Sequence, residues 1–271
     1  MKRTIRYVVT FLVITSVLFL LGNIALAQES TLDIVLKRGA LRVAVFTTLP
    51  PWGFLDADHN VDGYDVDLAK QMAKGLGVEL EITQAQGPNR IPFLQSGKVD
   101  IVIMCFGDTL ERAKAVAFSK PYAYEFVALS AAKTNKDIMD LEDLGGYRVG
   151  VERGSTHDML VTPMLPENAE VLRYETPVDA LLAMKQGKVD GVIAGASNTA
   201  VFCKQNPEFE IKADILKGKY GAVPTMGVRR GDQEWLNWVN LFIDNINRTG
   251  VNQELYFKWF GFPLPRISPT W

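Results

Sequence analysis

Cysteine and histidine are scarce in this 271-residue chain, with two of each. His59 and His157 stand far apart in sequence and neither has the neighbours that a metal site needs, so no metal and no cofactor are expected. Cys105 has no base close by in sequence and reads as a small apolar wall residue rather than a nucleophile. Blocks of basic residues are also absent, and the formal net charge is −2, so nothing draws the chain toward nucleic acid or anionic lipid. The longest apolar run, Val8 to Leu21, is shorter than the ~20 residues a membrane-spanning helix needs.

What that run does have is Lys2, Arg3 and Arg6 before it and Ala25-Leu26-Ala27 after it, the order of a cleaved signal peptide over residues 1–27. Export to the periplasm is the expectation. No cysteine follows Ala27 to carry a lipid, and the remaining 244 residues have a net charge of −5. That length accommodates two lobes.

Ser30 to Lys37 reads as a short helix and Leu41 to Phe46 as a buried strand. Thr47 to Phe54 is then a loop with two prolines and Trp52, and Asp58 to Gly63 a polar turn holding a solvated His59. Asp65 is placed as the N-cap of a helix that ends at Gly75-Leu76-Gly77, with Asp67 solvated, and Val78 to Thr83 is strand-like. A weak repeat follows. Gln95-Ser96-Gly97-Lys98-Val99-Asp100-Ile101-Val102-Ile103 returns as Gln186-Gly187-Lys188-Val189-Asp190-Gly191-Val192-Ile193, and Arg42-Val43-Ala44-Val45 as Arg148-Val149-Gly150-Val151. Two copies point to two similar α/β lobes rather than a solenoid. Cys105 and Cys203 then fall in different lobes, and no disulfide is expected.

The chain is organised around Ile91 to Tyr122. Lys98 to Met104 runs into a β-branched strand of the kind buried on both faces of a parallel sheet, Cys105 to Thr109 is a turn, and Leu110 to Lys114 opens a helix. Ligands of open α/β sheets lie beyond the carboxyl ends of the strands. Arg112 is the cation in this stretch whose fork suits a carboxylate, and it equally suits a surface ion pair with Glu111 or Asp108. Gly154-Ser155-Thr156, after the strand 149–151, reads either as an anion-binding turn or as an ordinary cap before a helix at His157 to Leu160. Phe46, Trp52 and Tyr122 lie at strand ends, where core packing is the ordinary role of an aromatic.

Gly-Lys-Val-Asp-Ile-Val-Ile at 97–103, Thr-x-Glu-Arg-Ala-Lys at 109–114 and Phe-Ser-Lys-Pro-Tyr at 118–122 resemble the family 3 solute-binding proteins of bacterial ABC transporters, which mostly bind amino acids. Gly63 to Ala69 and Lys258-Trp259-Phe260-Gly261 extend the resemblance over nearly the whole exported chain. It implies a type II periplasmic binding protein: an α/β fold of two lobes, each a sheet flanked by helices, joined by two crossover hinge segments. Lobe one would hold residues 28–126 and 227–271, and lobe two residues 127–226. The crossings lie near Phe126 to Ala132 and Tyr220 to Val228.

The resemblance further implies a monomer that binds an amino acid or related small carboxylate by hinge closure and delivers it to an inner-membrane permease. Arg112 would clamp the ligand carboxylate, with Ser155 and Thr156 meeting it from the other lobe. Phe46 and Trp52 would form an aromatic wall, and Cys105 and Phe106 the pocket floor.

Two positions depart from the family pattern. Gly107 stands where the family often has Ser or Thr, which costs a hydroxyl but not the backbone N–H. Gly195 stands where it usually has the Asp that pairs with the ligand's ammonium. Either the ligand lacks that amino group, or another acid serves, with Asp108, Glu125 and Glu152 as candidates. A cyclohexadienyl dehydratase shares this fold and family, and a sensing module is a third use of it. An enzyme would need a cleft proton donor, for which Glu125, Glu152 and His157 are the nominees, none in a catalytic motif.

Overall fold

The structure, a computed structural model, describes residues 29–215 and 223–265. The expected signal peptide lies outside these residues, as do residues 216–222, which include the start of the second crossing. Helix α1 (Thr31–Arg38) leads into β1 (Ala40–Val45), whose Leu41, Val43, Ala44 and Val45 are buried. Three short strands, β2 (Thr48–Leu49), β3 (Gly53–Leu55) and β4 (Val61–Asp62), form an antiparallel sheet in the loop after β1, with His59 exposed at the β3–β4 tip.

Helix α2 (Tyr64–Leu76) corrects one expectation. Its N-cap is Gly63, not Asp65, because Tyr64 N–H and Asp65 N–H donate to the carbonyls of Pro51 and Trp52, so no side-chain cap is needed. Asp65 is instead buried within the first turn, and its carboxylate accepts from Tyr122 Oη at 2.7 Å and Cys105 N at 2.9 Å. Asp67 is not solvated either. It accepts from Lys70, Lys258 and Trp259 Nε1, tying α2 to the carboxyl-terminal helix. Gly77, with φ 70°, ends the helix in the left-handed conformation as its sequence predicts.

The chain continues through β5 (Glu79–Gln84), α3 (Arg90–Gln95), β6 (Ile101–Gly107), α4 (Leu110–Ala113) and β7 (Val116–Pro121). Strand β6 runs on to Gly107, through residues expected to turn. Cys105 keeps it in the sheet by a local kink, with φ 43°, which aims the Cys105 N–H at Asp65. Helix α4 is a single turn capped by Thr109, so Arg112 lies in its only turn.

Residues 122–126 cross to β8 (Val127–Ala132). Then come β9 (Arg148–Glu152), α5 (Thr156–Val161), β10 (Glu170–Tyr174), α6 (Pro177–Lys185), β11 (Gly191–Gly195), α7 (Ala196–Gln205) and β12 (Phe209–Asp214). The chain returns as β13 (Pro224–Arg229), α8 (Gln233–Arg248) and α9 (Val251–Phe260).

Two five-stranded sheets result, ordered β5-β1-β6-β13-β7 and β10-β9-β11-β8-β12. In each, four strands run in one direction, and a crossing strand (β13 in one, β8 in the other) runs antiparallel between two of them. The sequence repeat is one device used twice. Asp100 accepts from the backbone and guanidinium of Arg42, and Asp190 does the same for Arg148, which pins the start of β1 to β6 and of β9 to β11. Trp235, Val239, Phe242, Ile243 and Ile246, at helical spacing, bury one face of α8 against the first lobe.

Candidate functional site

The carboxyl ends of β1, β5 and β6 face those of β9 and β11 across a cleft. Leu49, Trp52, Arg90, Cys105, Glu125, Glu152, Ser155, Thr156, His157, Pro177, Gly195 and Asn198 line a cavity of about 30 Å³ there, which is room for about two waters. Residues from both sheets close it.

Arg112 crosses the cleft. Its Nη1 donates to Gly107 O at 2.5 Å and Thr156 Oγ1 at 3.0 Å, and its Nη2 to Gly154 O at 2.7 Å. The surface-pair alternative fails, since Arg112 is buried, Glu111 pairs with Lys114, and no salt bridge joins Arg112 to Asp108 among the described residues. Burial works against the Arg112 charge, as does nearby Arg90, while Glu152 and Asp108 favour it. A guanidinium stays charged under these conditions. Gly107 permits this closeness, because a Cβ there would land on Thr156 Oγ1. The residue that seemed to cost only a hydroxyl is thus where the lobes touch. Ser155 lines the cavity and caps α5 by accepting from Asp158 N, a bond that leaves its O–H free to donate.

Arg112, Gly107, Phe46 and Phe106 do not line the cavity, and the two phenylalanines are fully buried behind it. Their rings support cations: Arg90 stands 4.7 Å from Phe46 and 5.4 Å from Phe106, and Arg112 stands 5.1 Å from Phe106. The aromatic on the cavity wall is Trp52. Tyr122 is core, bonded to Asp65. Cys105 does line the cavity, and burial followed by Glu125 and Asp65 raises its thiol pKa well above normal, so it stays protonated and apolar in behaviour.

Arg90 escaped the sequence reading. It begins α3 just beyond the carboxyl end of β5, so the strand-end rule applied to β5 as well as β6 would have found it. It approaches Glu152 of the other lobe at 3.9 Å. Among the described residues, Arg90 Nε, Glu152 Oε1, His157 Nε2 and Asn198 Nδ2 are buried without hydrogen-bond partners. A closed cleft with unsatisfied donors and acceptors is suited to a polar ligand. Burial, then Arg90 and Arg112, pushes His157 down to about 4, so its ring is neutral at pH 7.

The three candidate acids separate. Asp108 does not reach the cavity. Glu152 faces Arg90 and Arg112, and burial raises its pKa against their pull. Glu125, in the crossing between β7 and β8, lies against Gly195: a Cβ at Gly195 would stand 3.0 Å from Glu125 Cδ. Glu125 Oε2 accepts from Trp52 Nε1 at 2.7 Å and Ser197 Oγ at 2.5 Å, and Oε1 from Ser197 N at 3.0 Å. Burial pushes its pKa up to about 7.

Comparison with known proteins bears on this cleft. The family described as bacterial extracellular solute-binding proteins, family 3, matches residues 41–262. The ABC transporter arginine-binding protein 1 of Escherichia coli strain K12 is 29% identical over 222 residues, covering 81% of this chain and 90% of its own. Among solved structures, an ancestral arginine-binding protein bound to arginine is 36% identical with a TM-score of 0.77, over 83% of this chain and 99% of that one. An ancestral amino acid-binding protein, described as a precursor of cyclohexadienyl dehydratase, is 33% identical with a TM-score of 0.79, over 85% of this chain and 100% of that one.

Proposed function

Because the chain belongs to the bacterial extracellular solute-binding proteins of family 3, we propose that it captures an amino acid between its lobes and presents it to the membrane permease of an ABC transporter. It acts as an exported monomer in the periplasm, and the cleft closes over the ligand by bending at the two crossings. The relatives named above, which bind arginine or amino acids, support the ligand class. They are binding proteins, which favours capture over turnover.

The observation that carries the reading is the reach of Arg112 from the first lobe to Gly154 O and Thr156 Oγ1 of the second. Two of its donor hydrogens make bonds there and a third bonds Gly107 O of its own lobe, and an ammonium-bearing acid entering the cleft would bring a carboxylate to the same fork. A cavity of about 30 Å³ admits no amino acid from outside without the lobes parting. Binding is therefore coupled to opening and closing: both lobes hold the carboxylate only in the closed form.

Calorimetric titration with the standard L-amino acids tests the reading. R112A should weaken the best binder by at least about a hundredfold, since it strips a buried charge of its partner. R112K should recover little of that, because an ammonium lacks the fork. Unchanged affinity in R112A would remove Arg112 from the site.

A further inference from the structure

We propose that Glu125, carried on the crossing between β7 and β8, is the counter-charge for the amino group of the ligand, so that amine recognition is built into the hinge itself. This rests on the amino-acid reading above and names the group that distinguishes an amino acid from a plain carboxylic acid.

The acids of the cleft differ in the charges around them. Glu152 has two cations near it, Arg90 and Arg112. Asp65 faces away from the cavity and is held by Tyr122 and the Cys105 N–H. Glu125 lines the cavity, is 3% exposed, and takes its hydrogen bonds from neutral donors: the indole of Trp52 and the hydroxyl and backbone N–H of Ser197. Among the described residues no salt bridge reaches Glu125, and its carboxylate raises the pKa values of the neutral Cys105 and Tyr256 beside it. The backbone of Ala196 also favours the Glu125 carboxylate. All of these donors are neutral, and a primary ammonium on the ligand would supply the positive charge.

Gly195 fits the same arrangement. The space in front of its Cα is taken by the Glu125 side chain and by Asn198 Oδ1 at 3.0 Å. A side chain at 195 would crowd the Glu125 carboxylate, which would have to give way. The three bonds of Glu125 run to Trp52 in the first lobe and Ser197 in the second. An ammonium bound there joins the same junction.

The test uses calorimetric titration of the full exported chain with its best L-amino acid and with the des-amino analogue of that ligand. E125Q keeps the size and should weaken the amino acid at least about tenfold while leaving the des-amino acid unchanged. E125A/G195D, which moves the carboxylate to the strand end, should recover the preference for the amine. Equal loss on both ligands in E125Q would make Glu125 a structural residue and overturn the proposal. No loss on either would overturn it too, as would a wild-type protein that prefers the des-amino acid while R112A abolishes its binding. If no amino acid binds the wild type at all, the amino-acid reading fails beneath it.

Discussion

Two cleft residues titrate in opposite senses. Glu125 rises from 4.5 to about 7 on burial, so the folded protein holds a proton that the unfolded chain has released. Its contribution to stability is therefore largest below about pH 4.5 and is lost as pH rises to about 7. His157 falls from 6.5 to about 4, and its contribution is full above about 6.5 and lost as pH drops toward 4. Each effect is at most about 3 kcal/mol, because a tenfold change in proton affinity is worth about 1.4 kcal/mol. Urea unfolding of the ligand-free protein at several pH values should show E125Q losing stability less steeply than wild type between pH 5 and 7. H157Q should show the reverse at the acid end. Parallel curves for E125Q and wild type would mean Glu125 is not buried in solution. Asp65, also raised to about 7, cancels in this comparison because every variant retains it.

At the level of elements, the repeated aspartates do the same job in unlike surroundings. The Asp100 side chain is fully buried and also takes a bond from Arg38, whereas Asp190 is 27% exposed and serves Arg148 alone. D100A should cost about 3 kcal/mol and D190A about 1 kcal/mol in urea denaturation, because a buried pair broken on one side strands its partners while an open one is screened. Equal costs would show that burial does not set the strength of this joint. The end of β6 makes a separate prediction. G107A puts a methyl where Thr156 Oγ1 lies, so the thermal midpoint of the ligand-free, opened protein should hold while ligand affinity drops. A G107A protein that binds as tightly as wild type would show that the lobes need not meet there.

For the whole molecule, contacts between lobes at the cleft are specific and polar: Arg112 to Gly154 and Thr156, Arg90 to Glu152, and Trp52 to Ser197. Such an interface parts readily. Small-angle scattering should show the exported chain contracting when its amino acid is added. The thermal midpoint should rise as well, since a ligand at a hundred times its dissociation constant adds about 2.7 kcal/mol. A rise in midpoint without contraction would mean the lobes are already closed before binding.

Much of this architecture follows from local sequence. The β-branched run at Ile101 to Ile103, the Gly-Lys-Val-Asp turns, the left-handed glycine after α2 and the amphipathic α8 each specify an element through short-range sterics and burial of one face. The duplicated arginine and aspartate then specify two sheets of one design. Arg112 stands open on its own residues between a ligand contact and a surface pair; the family resemblance points it to the ligand, and its bonds to Gly154 and Thr156 are long-range. Tertiary structure decided the rest. Asp65 looks like a cap until the Pro51 and Trp52 carbonyls take over that role and burial turns it toward Tyr122 and Cys105. Glu125 and Gly195 are far apart in sequence, and only the crossing of the chain between sheets brings the carboxylate to the bare strand end. Local pattern governs backbone dihedrals and burial periodicity. Which charge meets which across a cleft depends on long-range closure, and no stretch of neighbouring residues encodes it.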